Sequence, residues 1–230
     1  MFENFNRYIH ELNTVSIIFR LFLASVCGGI IGLEREGKRR AAGIRTYMVV
    51  CIGATIVMLT NQYVYITFGN VDPTRLGAQV ISGIGFLGAG TIITTRHNRV
   101  VGLTTAAGLW ASACTGLALG IGFYTGAIIG NMFILFTITV MQWFSSRIVS
   151  SSKYIELYME VSKNGDLNDF LTIAHKNHIK VEHVEFVVPK QELSGLTAVV
   201  VTLRLPEKRA HFEVIQQLYA EGNMKFIEEL

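Results

Sequence analysis

Over the first two thirds of the chain, long apolar runs alternate with short polar breaks. The last third alternates at the shorter period of strands. A helix that crosses a bilayer needs about 20 mostly apolar residues. The pattern predicts spans at about 15–33, 46–68, 76–95, 101–119 and 122–145. The first holds one charge, Arg20. The second is expected to end near the polar pair Asn61–Gln62, and the third holds no charge. From Val100 to Ser146 no Lys, Arg, Asp or Glu occurs. That run is too long for one helix, and the Gly120–Ile121–Gly122 step divides it with a tight turn.

After residue 150 the period changes. Ile155, Leu157, Met159 and Val161 alternate with Tyr154, Glu156, Tyr158 and Glu160, which predicts a half-buried strand. Asp166 is an N-cap candidate for a helix carrying Leu167, Phe170, Leu171 and Ala174 on one face. A second strand covers about 179–188, with a slip near His183–Val184. Thr197 to Leu205 alternates again, Phe212, Ile215, Leu218 and Tyr219 mark a second helix, and 224–227 reads as a last strand. The order βαββαβ is the ferredoxin-like pattern. The expected fold is therefore a membrane all-α domain of five transmembrane helices, residues 1–150, followed by a small α+β ferredoxin-like domain, 151–230.

Composition agrees with this division. Half of the 230 residues are hydrophobic and 16% are charged, against about 25% charged in an average soluble domain. The first 150 residues hold 11 Lys/Arg and 5 Asp/Glu, the rest 9 and 12, and 19 of the 22 glycines precede residue 151. A single soluble globule does not fit. Nor does a nucleic-acid binder, because the basic excess lies between apolar runs and makes no continuous face. With five spans, the loops holding Arg35, Lys38, Arg39, Arg40 and Arg45, then Arg96 and Arg99, then Arg147 and Lys153, all fall on one side. That bias predicts an external N-terminus and a cytoplasmic C-terminal domain. Trp143 and Tyr154 flank the inner end of the fifth span, where an aromatic belt belongs. The acidic N-terminal stretch MFENFNRYIHELN precedes no A-x-A pattern, so no cleaved signal peptide is expected.

Small residues recur at helical spacing: Gly28 and Gly32 in the first span, Ala78, Ser82, Gly85 and Ala89 in the third with Gly88 beside them, Gly108, Ser112, Gly116 and Gly120 in the fourth, Gly122, Gly126 and Gly130 in the fifth. In lipid such ladders mark helix contacts. Clearing a pore is the alternative. Gly83 to Gly88 spells G-x-G-x-x-G inside an apolar run with no acid some 20 residues on, so a dinucleotide site is rejected. Cys27, Cys51 and Cys114 sit singly in apolar runs and form neither a disulfide framework nor a zinc set. His175, His178, His183 and His211 lack tight ligand spacing, so no metal or cofactor is expected, and no nucleophile–base pair suggests an enzyme.

Between Leu12 and Ile155 the only acids are Glu34, Glu36 and Asp72, all at span ends. Proton and cation carriers commonly embed acids mid-span, so an ion carrier is the weaker reading, although a carbonyl-lined channel remains open. Three polar clusters stand out. Gly32–Glu36 is followed by Ala42–Thr46, where Glu34 and Arg45 are candidates to pair and Arg35 and Thr46 lie beside them. Asp72 is a candidate cap for the third span with Pro73 at its first position, Arg75 and Gln79 following one turn apart. Thr104 and Thr105 open the fourth span, with Thr104 a candidate N-cap. Arg20 is expected to snorkel outward or to pair with Asp72.

These clusters resemble the MgtC/SapB family of bacterial inner-membrane proteins, and the SapB-like branch most. The matching residues are Arg20–Leu21, Gly32–Leu33–Glu34–Arg35, Ala42–Gly43–Ile44–Arg45–Thr46, Arg75 with Ala78 to Gly90, and Gly102 to Ala107 with Leu109–Trp110. The resemblance implies a five-span membrane domain and, as in some members, an ACT-like cytoplasmic domain. It also implies a role in magnesium limitation or acid stress, and restraint of the ATP synthase by members called MgtC. Those members typically carry asparagine where this chain has Thr104 and often cysteine where it has Ala111, so their virulence role is not carried over. ACT-like domains often bind ligands at the first strand–helix loop, here Lys163–Asp166, and pair edge to edge. The expectation is a non-enzymatic membrane regulator in the lipid bilayer, a homodimer or bound to another membrane protein. The alternative is a cation channel or transporter lined near Arg20, Asp72, Arg75, Gln79 and Thr104.

Overall fold

The computed structural model describes residues 10–69, 72, 74–94, 100–149, 152–162, 166–187, 196–221 and 226–229. The chain divides into two compact units, one reaching Met141 and one from Gln142 onward.

The first unit is helical. Helix α1 (Thr14–Gly37) starts at Asn13, whose side chain accepts the Ser16 amide at 2.8 Å, so one free donor of the first turn is satisfied. Helix α2 (Ile44–Phe68) follows a short loop. Its first amide donates to Glu36 Oε2 at 2.9 Å, a cap supplied from the end of α1. Helix α3 (Arg75–Thr91) leads into a two-residue hairpin, β1 (Ile93–Thr94) with β2 (Val100–Val101). Helix α4 (Leu103–Gly120) begins after Gly102, which has φ +95°, and a Cβ there would strike the Thr91 carbonyl. Only glycine closes that corner.

The charge-free run divides where the glycines stand. Gly122 takes φ +87°, the amides of Ile121, Gly122 and Phe123 return to the carbonyls of Leu117, Leu119 and Ala118, and α5 (Tyr124–Phe136) begins. It continues through a π-helical segment, Thr137–Met141, into α6 (Gln142–Val149).

Among the described residues four helical stretches are long and apolar enough to cross a membrane: Thr14–Gly37, Ile44–Phe68, Leu103–Gly120 and Tyr124–Ser145. The third expected span differs. Its helix is 17 residues long, because the chain turns into the β1–β2 hairpin before residue 95. The second span does not end at Asn61–Gln62 but runs on as helix to Phe68.

The second unit holds a four-stranded sheet of β3 (Tyr154–Ser162), β4 (Lys180–Val187), β5 (Leu196–Arg204) and β6 (Phe226–Glu229), ordered β4-β5-β3-β6 with every pair antiparallel. A register shift falls between Val181 and His183, at the expected slip. The helices α7 (Asp166–Lys176) and α8 (His211–Glu221) send Phe170, Ala174, Val214 and Leu218 into a core with Ile155, Leu157, Met159, Val161, Val199, Val201 and Leu203. The opposite face is not simply solvated. Tyr158 is buried and its hydroxyl donates to the buried Glu160 at 2.6 Å, beside Ala198 and Val200. His211, also buried, meets Glu229 Oε1 through Nδ1 at 2.5 Å and the Ser152 carbonyl through Nε2 at 2.9 Å. Of the expected ligand loop Lys163–Asp166, residues 163–165 lie outside the described residues and Asp166 is the first residue of α7.

Candidate functional site

Helix α1 buries one face: Ser16, Arg20, Ala24, Cys27, Gly28, Ile31, Gly32 and Arg35. A 3.6-residue period places these positions along one stripe. Its two arginines are essentially inaccessible, at 0% and 1% exposure. They lie about 22 Å apart along the axis at 1.5 Å per residue.

Arg20 is held from four sides. Its Nε donates to the Tyr124 hydroxyl at 3.0 Å, Nη1 to Gln62 Oε1 and to the Gly120 carbonyl at 2.7 Å each, and Nη2 to the His10 carbonyl at 2.9 Å. The guanidinium also faces the Tyr124 ring at 5.9 Å. None of these four acceptors is a carboxylate. Gly120 ends α4, so its carbonyl belongs to the negative end of that helix and faces the guanidinium favourably. The expected pairing with Asp72 is thereby corrected. Acceptors from α2, α4, α5 and the segment before α1 reach Arg20 first, and Asp72 is spent locally. Its Oδ1 takes the Thr74 amide at 2.9 Å and the Thr74 hydroxyl at 2.7 Å. Those bonds hold the exposed Asp72 carboxyl below its ordinary range. Asp72 closes a turn before α3 rather than capping it: the N-cap is Thr74 and the helix starts at Arg75. Pro73 lies outside the described residues.

At the other end of the stripe, Arg35 Nε donates to Glu34 Oε2 at 2.5 Å, and Lys38 Nζ lies 2.6 Å from Glu34 Oε1. Glu34 therefore pairs with Arg35 and Lys38, not with Arg45. Helical geometry brings i+4 within reach, whereas Arg45 and Thr46 are exposed on the first turn of α2. Arg75 and Gln79 are exposed on α3 and do not join Arg20. Thr105 is buried, and its carbonyl accepts the Tyr47 hydroxyl at 3.2 Å. Thr104 is exposed. It is the second residue of α4 and not its cap, that place being taken by Gly102.

The glycines divide into two sets. A Cβ on Gly28 would meet the Tyr47 carbonyl at 2.7 Å, one on Gly32 the Ile44 Cα at 2.6 Å and one on Gly108 the Tyr47 hydroxyl at 2.5 Å. A Cβ on Gly116 would meet the Cys51 carbonyl, and one on Gly88 the Ala106 Cβ at ordinary contact distance. These positions hold α1, α3 and α4 against their neighbours. Gly85 and Gly130 face open space, Ser82 is exposed, and Gly126 meets the ring of Phe123 in its own chain segment. The third-span ladder Ala78, Ser82, Gly85 and Ala89 thus points away from this chain's helices. The face that α3 buries is Gly77, Ile84 and Gly88.

Four participants were not singled out by sequence reasoning. Tyr124 and Gln62 complete the Arg20 set. Thr55 bridges helices by donating near the carbonyls of Cys51 and Gly116, each 2.9 Å away. Asn131, 6% exposed inside α5, keeps an Oδ1 without a hydrogen-bond donor among the described residues. The available signal was polarity inside apolar runs, Asn61–Gln62 and Asn131 above all. No group of three His, Cys, Asp or Glu residues that would hold a metal occurs among the described residues.

Comparison with known proteins adds the following. The model of the MgtC family matches residues 21–147. The chain is 32% identical over 176 residues to YhiD of Escherichia coli K12, named as a candidate magnesium transporter, covering 74% of this chain and 80% of that protein. It is 35% identical to SapB of Bacillus subtilis, covering 73% and 76%. It is 44% identical over 112 residues to MgtC of Brucella abortus, covering 49% and 45%. No solved structure matches.

Proposed function

The chain belongs to the MgtC family, and from that premise we propose that it is a non-enzymatic regulator of the bacterial inner membrane, supporting adaptation to magnesium limitation or acid stress through membrane-protein contacts. The observation that carries this reading is the enclosure of Arg20. The charge within the first span ties α1 to α2, α4, α5 and the segment before α1. A charge committed to four bonds inside a closed set serves to lock helices rather than to pass ions.

In this reading α3 is the fifth crossing, its 17 residues being at the short end of what spans a bilayer. The N-terminus is then external, and the arginine-rich α1–α2 loop and the C-terminal sheet are cytoplasmic. The strand order β4-β5-β3-β6 and the βαββαβ succession support a ferredoxin-like, ACT-like assignment for that sheet. The contact surface is the outward face of α3, where the small or polar Ala78, Gln79, Ser82, Gly85 and Ala89 are exposed beside Phe86. On α1 the exposed positions include the bulky Val15, Ile18, Phe19, Phe22, Val26, Ile30 and Leu33, as lipid prefers. A face rich in small residues around one projecting ring suits a second copy of the chain or another membrane protein. The ATP synthase as that partner rests on family resemblance alone. Crosslinking in bacterial membranes followed by purification in mild detergent tests the reading. A homodimer or a stoichiometric membrane partner is expected, and a partner-free monomer contradicts it.

A second reading, cation transport, is favoured by the name of the E. coli relative and by the unsatisfied Asn131 oxygen inside α5. Its pathway would pass near Arg20, Asp72, Arg75 and Gln79. Flux of Mg²⁺, K⁺ or H⁺ into liposomes carrying the purified protein decides between the two.

A further inference from the structure

A groove of about 320 Å³ runs between α1 and α2, lined by Val26, Gly29, Ile30, Leu33 and Ser25, whose hydroxyl is spent on the Phe22 carbonyl, from the first helix and Ile44 and Met48 from the second. Its α1 wall is open to the outside of the bundle, Val26 being 38% and Leu33 58% exposed. The groove exists because position 29 has no side chain. A Cβ there would stand 3.5 Å from Cγ of Met48, so any branched residue would fill the space.

The charge at the mouth of the groove is unbalanced. Leu33 and Ile44 are its last lining residues, and the chain between them carries Lys38, Arg39 and Arg40, with Arg45 directly after Ile44. The two acids nearby are already used. Glu34 pairs with Arg35 and Lys38, and Glu36 caps Ile44. Arg39, Arg40 and Arg45 are exposed, and no carboxylate among the described residues pairs with them. Arg39 sits at φ +52°, in the left-handed turn that ends α1. An apolar slot leading into three exposed arginines that no carboxylate among the described residues pairs with is complementary to an anionic lipid, whose acyl chain suits the slot and whose phosphate suits the guanidiniums.

We propose that this α1–α2 hairpin binds one anionic phospholipid, its acyl chain in the groove over Gly29 and its phosphate on Arg39, Arg40 and Arg45. The site does not depend on whether the protein regulates or transports. It requires only that the hairpin lie in a bilayer.

Native mass spectrometry of the full-length protein tests it, with the protein purified in a neutral detergent and offered equal phosphatidylglycerol and phosphatidylcholine. One retained phosphatidylglycerol per chain is expected. Surface arginines contribute roughly fivefold each to anionic-lipid binding, so replacing all three by glutamine is expected to cost about a hundredfold in preference. Gly29→Leu is expected to abolish retention of either lipid while helix content stays at the parent level. Should a variant fold poorly, the parent protein alone still decides. Glycerol phosphate without acyl chains is expected not to displace the bound lipid, and short-chain phosphatidylglycerol to displace it. Equal retention of the two lipids, retained preference in the triple variant, or displacement by glycerol phosphate would each overturn the proposal.

Discussion

The two buried arginines of α1 share a helix face, a side-chain type and almost complete enclosure, yet they are neutralised in different ways. Arg35 sits at the end of the helix beside a carboxylate, and that carboxylate is shared with Lys38, whose side chain is 34% exposed. Arg20 has a phenol, an amide and two backbone carbonyls, drawn from positions 10 to 104 residues away. At Arg35 charge meets charge between residues of one helix end. At Arg20 the guanidinium meets dipoles, and each belongs to a different segment. The first arrangement is local to one helix end. The second fixes how helices stand against one another. Breaking a buried charge site by removing one partner costs several kcal/mol, but Glu34 keeps Lys38 when Arg35 is lost, so the two ends should respond unequally to mutation.

The largest effect is expected at Arg20→Ala. It leaves the Gln62 and Gly120 oxygens without their donor in a buried place and should cost about 3–5 kcal/mol of unfolding free energy in detergent. Arg20→Lys keeps the charge but replaces a planar fork by a single ammonium. It should fall between wild type and Arg20→Ala, by roughly half that loss, in the same titration. Arg35→Ala should cost less, about 1–2 kcal/mol, because Lys38 still serves Glu34. A double-mutant cycle of Arg35→Ala with Glu34→Gln isolates that pair, and a coupling as large as the Arg20 loss would erase the distinction between the ends. The smallest effect is at Asp72, where Asp72→Asn should leave neutral-pH stability unchanged within error. The Asp72 carboxyl is held low by Thr74. Any stabilising contribution it makes is therefore present above the carboxyl's unfolded value and is lost as pH falls through the folded one. The acid limb of a thermal-melt series should show that small loss in wild type and not in Asp72→Asn.

Much of the helical layout was legible because hydropathy and glycine are local signals. The division at Gly120–Gly122 required only a charge-free run with a breaker in it. The strands of the sheet, with a slip near His183–Val184, followed from period-two alternation, and the register shift lies between Val181 and His183. The Arg20 site was not legible, since two of its four acceptors are backbone carbonyls, which leave no mark on the sequence, and the others come from distant segments. Asp72 misled because a cap and a turn use the same residue types two positions apart. The ladder on α3 was visible but its side was not, since spacing of three and four gives a face without saying what it faces. In the sheet, alternation put Tyr158 and Glu160 on the outer face, and their mutual hydrogen bond inside a buried setting is a tertiary fact.

The central claim is that the polar residues of the first span form a closed lock and not an ion path. Reconstitution of the purified protein into liposomes loaded with Mg²⁺, K⁺ and pH indicators addresses it most directly. The account predicts no flux under any imposed gradient for wild type. Flux through wild type that Gln62→Ala or Arg20→Ala abolishes would contradict it.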